Sequence, residues 1–145
     1  MTKIVHINAK LVGSIERAFK FFVKGKYAAD AIVEPRVGGK NELFWDLEDR
    51  SKDSTVGCRF TVFEENRIIA ADWTGPPEFE IVMNTADPLT HLLVTFEKTE
   101  NNEVVVDLIH TGWGSSPEWE KARLYFENAW EQVFKVLKKY VKSNS

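Results

Sequence analysis

The chain is poor in the features that most quickly betray a function. Among 145 residues there is one cysteine, Cys58, so no intrachain disulfide can form. Lysine and arginine total 19 against 22 aspartate and glutamate, a net charge of −3. With a pI near 5.7, there is no basic field to meet nucleic acid. No stretch approaches the roughly 20 apolar residues of a membrane span. Met1–His6 lacks the apolar run of a secretory signal and leads straight into a strand-like pattern. Together these absences read as a cytoplasmic protein without membrane insertion.

Motifs of common chemistries are also missing. Gly38-Gly39-Lys40-Asn41 lacks the glycine spacing and the Ser/Thr of a phosphate loop. Gly112-Trp113-Gly114 lacks the third glycine of a dinucleotide fingerprint, and no serine sits in Gly-x-Ser-x-Gly. His6, His91 and His110 are scattered, whereas zinc wants convergent ligands, so neither a metal nor a cofactor is expected. Cys58 lies among apolar neighbours with no adjacent base, which favours a buried, inert thiol.

Aromatic residues, by contrast, are plentiful: five Trp and ten Phe in a chain that is 43% hydrophobic and 28% charged. This is an ordinary globular balance, and the length suits one domain spanning 1–145. The rings could fill a large core or line an apolar pocket, and composition does not choose between these.

Periodicity gives the element order. Val5, Ile7, Ala9 and Leu11 alternate as on a half-buried strand over 3–12. Ser14 caps a short helix over 15–23, with Ile15, Ala18, Phe19 and Phe22 on one face, and Gly25 ends it. A second helical turn is expected over 27–31. Strands follow: one after the Gly38–Asn41 turn with Leu43, Trp45 and Leu47, one over 55–64, and one over 67–74. Gly75-Pro76-Pro77 breaks the pattern. A short edge strand is expected over 78–83, then loop over 84–88. Leu92, Val94 and Phe96 mark the next strand, and Val104, Val106, Leu108 and His110 the last, after a turn at Asn101-Asn102. Strands joined by short turns imply an antiparallel sheet.

The C-terminal segment opens with Ser115-Ser116-Pro117-Glu118, a serine cap with proline in the first turn. Trp119, Ala122, Phe126, Ala129, Trp130, Val133, Leu137 and Tyr140 then recur at helical spacing. A helix of some 25 residues is about 38 Å long, and only a broad sheet covers such a face. Residues 143–145 read as a frayed tail. One long helix does not fill a strongly curved sheet, so a cavity between them is expected.

This order resembles the START-like (SRPBCC, birch-pollen-allergen-like) superfamily. Within it the chain is similar to the family of the C-terminal domain of the activator of the 90-kDa heat-shock chaperone's ATPase. The residues that carry the likeness are the Ile15-Glu16-Arg17-Ala18-Phe19 helix start, the Gly38-Gly39 hairpin, Gly57 before a strand ending at Glu64, and Arg67-Ile68 leading to Trp73. His110-Thr111-Gly112-Trp113 closes the last strand, and Ala129-Trp130-Glu131 stands where the family usually has Gly-Trp-Glu. Two departures stand out: Ala28-Ala29-Asp30-Ala31 replaces a common aromatic pair, and Pro76–Pro88 is longer than the family's usual linker. The resemblance implies an α+β helix-grip fold, a curved antiparallel sheet of six or seven strands around the long C-terminal helix, enclosing an apolar cavity. Relatives are described as lipid or hormone binders, polyketide cyclases and aromatases, and chaperone activators, so the fold names no single activity.

Candidate cavity residues are Trp45, Arg59, Trp73, His110, Trp113, Trp119, Phe126 and Trp130. His110 follows the apolar phase of its strand. It is either a hydrogen-bonding or acid–base group on the pocket wall or a buried histidine satisfied by a backbone carbonyl. Arg59 shares a face with Gly57, Thr61 and Phe63, opposite Cys58, Phe60 and Val62. It reaches a ligand carboxylate if that face looks inward, and is a solvated charge if it looks outward. Asp72 and Trp73 lie on opposite faces, so at most one lines the interior. The tryptophans serve a flat ligand or simply the core, and Trp113 and Trp119 flank the start of the helix as a potential entrance. Three functions follow in order: binding a small apolar or amphipathic molecule, a protein-interaction role with a chaperone partner, and a cyclase- or dehydratase-like enzyme.

Overall fold

A computed structural model of the protein describes residues 3–142; the reading of 143–145 as a tail lies outside them. Seven strands and three α-helices follow in the order β1 (Val5–Val12), α1 (Ile15–Val23), β2 (Asp30–Val33), β3 (Asn41–Phe44), β4 (Phe60–Glu64), β5 (Ile68–Trp73), α2 (Glu80–Met83), β6 (Thr90–Lys98), β7 (Glu103–Thr111) and α3 (Pro117–Lys142). Five strands form one antiparallel sheet in the order β1-β7-β6-β5-β4, and β2 and β3 form a second pair. Isolated bridges from Lys40 to Arg59 and from Phe44 to Ser54 join that pair to the β4 side. The result is a curved sheet that grips α3: the helix-grip fold.

Local chemistry explains the ends of the elements. Ser14 Oγ accepts from the Arg17 amide at 3.2 Å and starts α1. Ser116 Oγ accepts from the Trp119 amide at 3.3 Å, with Pro117 as the first helical residue of α3. The face α3 turns to the sheet buries Ala122, Phe126, Trp130, Phe134, Leu137 and Val141. Phe134 and Val141 extend the stripe expected from spacing. On β7, Val104, Val106, Leu108 and His110 are all fully buried, in the phase expected. Phe19 and Phe22 pack α1 against Phe96 of β6, with ring centroids 5.2 and 5.8 Å apart.

Three local expectations are corrected. Residues 27–31 form no helical turn; Lys24–Tyr27 is a turn and Asp30 already begins β2. Residues 78–83 are not an edge strand. Pro77–Phe79 is a 3₁₀ turn running into α2, and the Asn84 side chain closes the loop by accepting from the Gly75 amide and donating to its carbonyl. Pro76 and Pro77 set the helical start. The strand expected from Thr55 begins at Phe60, and a register shift between Phe60 and Val62 breaks its alternation. Phe60 and Phe63 thereby fall on the same side, their centroids 5.2 Å apart.

Candidate functional site

Two aromatic clusters lie between α3 and the sheet, and they differ in kind. The first surrounds His110 near the start of α3. The indole Nε1 of Trp130 can only donate, so at 3.1 Å the Nδ1 of His110 is its acceptor. The histidine proton then sits on Nε2, which donates to Thr90 Oγ at 3.0 Å. The Thr90 hydroxyl in turn donates a hydrogen bond to the Trp73 carbonyl at 3.1 Å, and Trp113 Nε1 donates to the His110 carbonyl at 2.8 Å. Rings of Trp113 and Phe126 close over the imidazole at 4.4 and 5.2 Å. Burial, reinforced by His91, pushes the His110 pKa down to about 3, so it is neutral at pH 7. With both nitrogens engaged and no exposed surface, His110 is a structural hub held by side chains rather than by a backbone carbonyl.

The second cluster surrounds a cavity of about 120 Å³. Trp73 of β5 and Phe126, Ala129, Trp130 and Val133 of α3 line it, together with Tyr27, Trp45, Asp53, Ser54, Thr74, Pro76 and Tyr125. Trp45 is held by its Nε1 donating to the Tyr27 carbonyl at 3.2 Å. Trp45 and Tyr125 are 36% and 40% exposed, which marks where the cavity reaches solvent. The Tyr27 hydroxyl has no hydrogen-bond partner among the described residues, and burial pushes its pKa up. Asp53 is also held above the usual carboxylate range, by partial burial and then by Asp46 and Glu78.

Of the eight residues singled out from sequence, Trp45, Trp73, Phe126 and Trp130 line this cavity. His110 and Trp113 lie in the filled cluster beside it, and Trp119 packs on Trp113 at 6.2 Å. Arg59 points outward: it is exposed and donates to the Gly38 carbonyl at 2.8 Å, because Cys58 and Phe60 take the inner face. Asp72 is on that outer side as well, and Trp73 takes the interior position. Tyr27, Asp53 and Tyr125 were missed. Tyr125 had a signal, since it stands four residues before Ala129 on a row next to the apolar stripe. Tyr27 and Asp53 lie in turns with no periodicity to read.

Cys58 is 1% exposed, and burial pushes its thiol up to about 12, as suits an inert side chain. Among the described residues no group of His, Cys, Asp and Glu is arranged to hold a metal, and no helix is long and apolar enough to cross a membrane.

The family model for activator of Hsp90 ATPase homolog 1-like protein matches residues 14–142. No curated protein matches the chain. Solved structures share the fold at low identity. A Mesorhizobium loti protein superposes with a TM-score of 0.76 at 13% identity, covering 99% of each chain. The Aha1 dimer from Colwellia psychrerythraea gives 0.69 at 12%, again over 99% of each chain. An Hsp90 activator from Plasmodium falciparum gives 0.65 at 18%, over 89% of this chain and 88% of that one.

Proposed function

The chain belongs to the activator of Hsp90 ATPase homolog 1-like family, and from that premise we propose that it is a binding module for a small apolar or amphipathic molecule held between α3 and the sheet. The observation that carries this reading is the aromatic-walled cavity with an unpartnered Tyr27 hydroxyl beside it. A ligand would bury apolar surface against Trp73, Phe126 and Trp130, and the hydroxyl would fix its orientation. The size is restrictive. An apolar cavity of ~150 Å³ takes up benzene, while drug-sized ligands need roughly 300 Å³ or more. At about 120 Å³ the cavity suits a single ring or a compact branched group, not a whole lipid or hormone.

The test is native mass spectrometry of gently purified protein, together with uptake of toluene as an apolar probe. Ala129→Leu serves as the control, because a larger side chain there enters the cavity. Retained adduct or toluene uptake in the wild type, abolished in a folded Ala129→Leu protein, supports the reading; equal uptake by both, or none by either, overturns it. The family match and the Plasmodium relative favour a second reading, contact with an Hsp90-type chaperone. That role needs a surface patch rather than the cavity, so capture of the chaperone unchanged by Ala129→Leu would select it.

A further inference from the structure

The cavity's charge is one-sided. Asp53 is the one charged residue among those lining it. Its carboxylate has neither an ion pair nor a hydrogen-bond donor among the described residues, and Asp46 and Glu78 add negative charge around it. Asp53 and Glu78 also act on the Tyr125 hydroxyl, which places the same field at the rim. The nearest cations in sequence are engaged elsewhere: Lys52 lies 3.9 Å from Asp49, and Arg50 pairs with Asp30 at 2.8 Å while its guanidinium lies over the Phe44 ring.

The walls are aromatic on several sides. Trp130 stands 5.2 Å from Trp73 and 5.9 Å from Tyr27, and Tyr27 stands 6.2 Å from Trp45, all between ring centroids. Aromatic faces carry negative potential, and a cation within about 6 Å of a ring centroid is attracted to it. A neutral ligand uses the apolar walls but leaves Asp53 without a counter-charge. An anion meets the Asp53 carboxylate, with the charges of Asp46 and Glu78 adding to the repulsion. A cation whose charge is spread over methyl groups satisfies the walls and the rim together, and it gives up less hydration on entry than a primary ammonium.

Resting on the binding-module reading, we propose that the cavity selects a small organic cation of the methylated-ammonium class over a neutral molecule of the same shape, with Tyr27, Trp45, Trp73 and Trp130 contacting the methyl groups and Asp53 supplying the counter-charge.

Choline and its uncharged isostere 3,3-dimethylbutan-1-ol are the probes, titrated calorimetrically into wild type and Asp53→Asn. Asparagine tolerates the left-handed backbone of position 53, where φ is +43°, so the variant keeps the rim's shape. Choline should bind the wild type at least about tenfold more tightly than the alcohol, and Asp53→Asn should bring the two within about threefold of each other. Equal or tighter binding of the alcohol overturns the charge selection and leaves the cavity reading standing. A choline preference undiminished in Asp53→Asn overturns the role given to Asp53. If neither probe binds the wild type, the selection falls, and toluene uptake by the wild type decides separately whether the reading beneath it stands.

Discussion

Around His110 and around Tyr27, α3 presents aromatic rings to neighbouring parts of the same sheet, yet the two regions are built to opposite ends. At His110 both imidazole nitrogens and the indole nitrogens of Trp113 and Trp130 have partners, and the histidine is fully buried. At Tyr27 rings at similar separations border a cavity instead of closing it, and a hydroxyl and a carboxylate go without protein partners among the described residues. Trp130 belongs to both: its nitrogen faces His110 while its ring walls the cavity. Aromatic content alone therefore does not distinguish core from pocket. Polar satisfaction does: among the described residues no fully buried side-chain polar atom goes without a partner, so a hydroxyl or carboxylate that lacks one stands where the cavity or solvent reaches it.

Deleting the shared member breaks the comparison most strongly. Trp130→Ala removes a side chain only 2% exposed and merges the filled region with the hollow one. A loss of about 3–5 kcal/mol is expected, read from the midpoint and slope of urea unfolding. A loss below about 1 kcal/mol would mean that the cavity already extends beneath the indole.

A smaller effect, but a more specific one, is expected at the hub. His110→Leu keeps the volume nearly constant and orphans the Trp130 donor, which should cost about 1–3 kcal/mol at pH 7. The pH dependence separates this from simple repacking. The unfolded chain protonates His110 near the ordinary value of 6.5, whereas the folded protein resists down to about 3. Between those values the unfolded state binds more protons, so the contribution of neutral His110 is complete above pH 6.5 and is lost as pH falls toward 3. From pH 6.5 to 5, wild type should lose up to about 1.4 kcal/mol per pH unit more than His110→Leu. Parallel stability curves for the two proteins over that window would show that His110 is not held neutral.

How much of this contrast was legible in the sequence follows the same line. Alternation in β7 put His110 inside correctly, since period two holds along an unbroken nine-residue strand. Helical spacing brought Phe126 and Trp130 to the right face of α3. Arg59 was lost because alternation gives two faces without saying which is inner, and the register shift in β4 then spoiled the phase beyond it. Tyr27 and Asp53 were illegible for another reason: both are placed by turns around the β2–β3 pair, which tertiary bridges such as Lys40 to Arg59 and Phe44 to Ser54 tie to the rest of the fold. The filled half of the interface was thus readable from periodic elements, whereas of the hollow half only Trp45, Trp73, Phe126 and Trp130 were, and the parts set by turns were not.

The smallest expected effect is the sharpest test of the distinction. Tyr27→Phe removes one polar atom from the hollow region, as His110→Leu removes polar atoms from the filled one. The ring, its stacking 5.5 Å from Phe21 and its edge against Trp130 all remain. No protein group among the described residues loses a partner, so the unliganded protein should change by less than about 0.5 kcal/mol in urea unfolding. The affinity for a hydrogen-bonding ligand should fall by a factor of about two to ten, the worth of one hydrogen bond. A stability loss above about 1 kcal/mol without ligand would mean that the hydroxyl is already satisfied within the fold, and the two aromatic regions would then be one core with a gap in it.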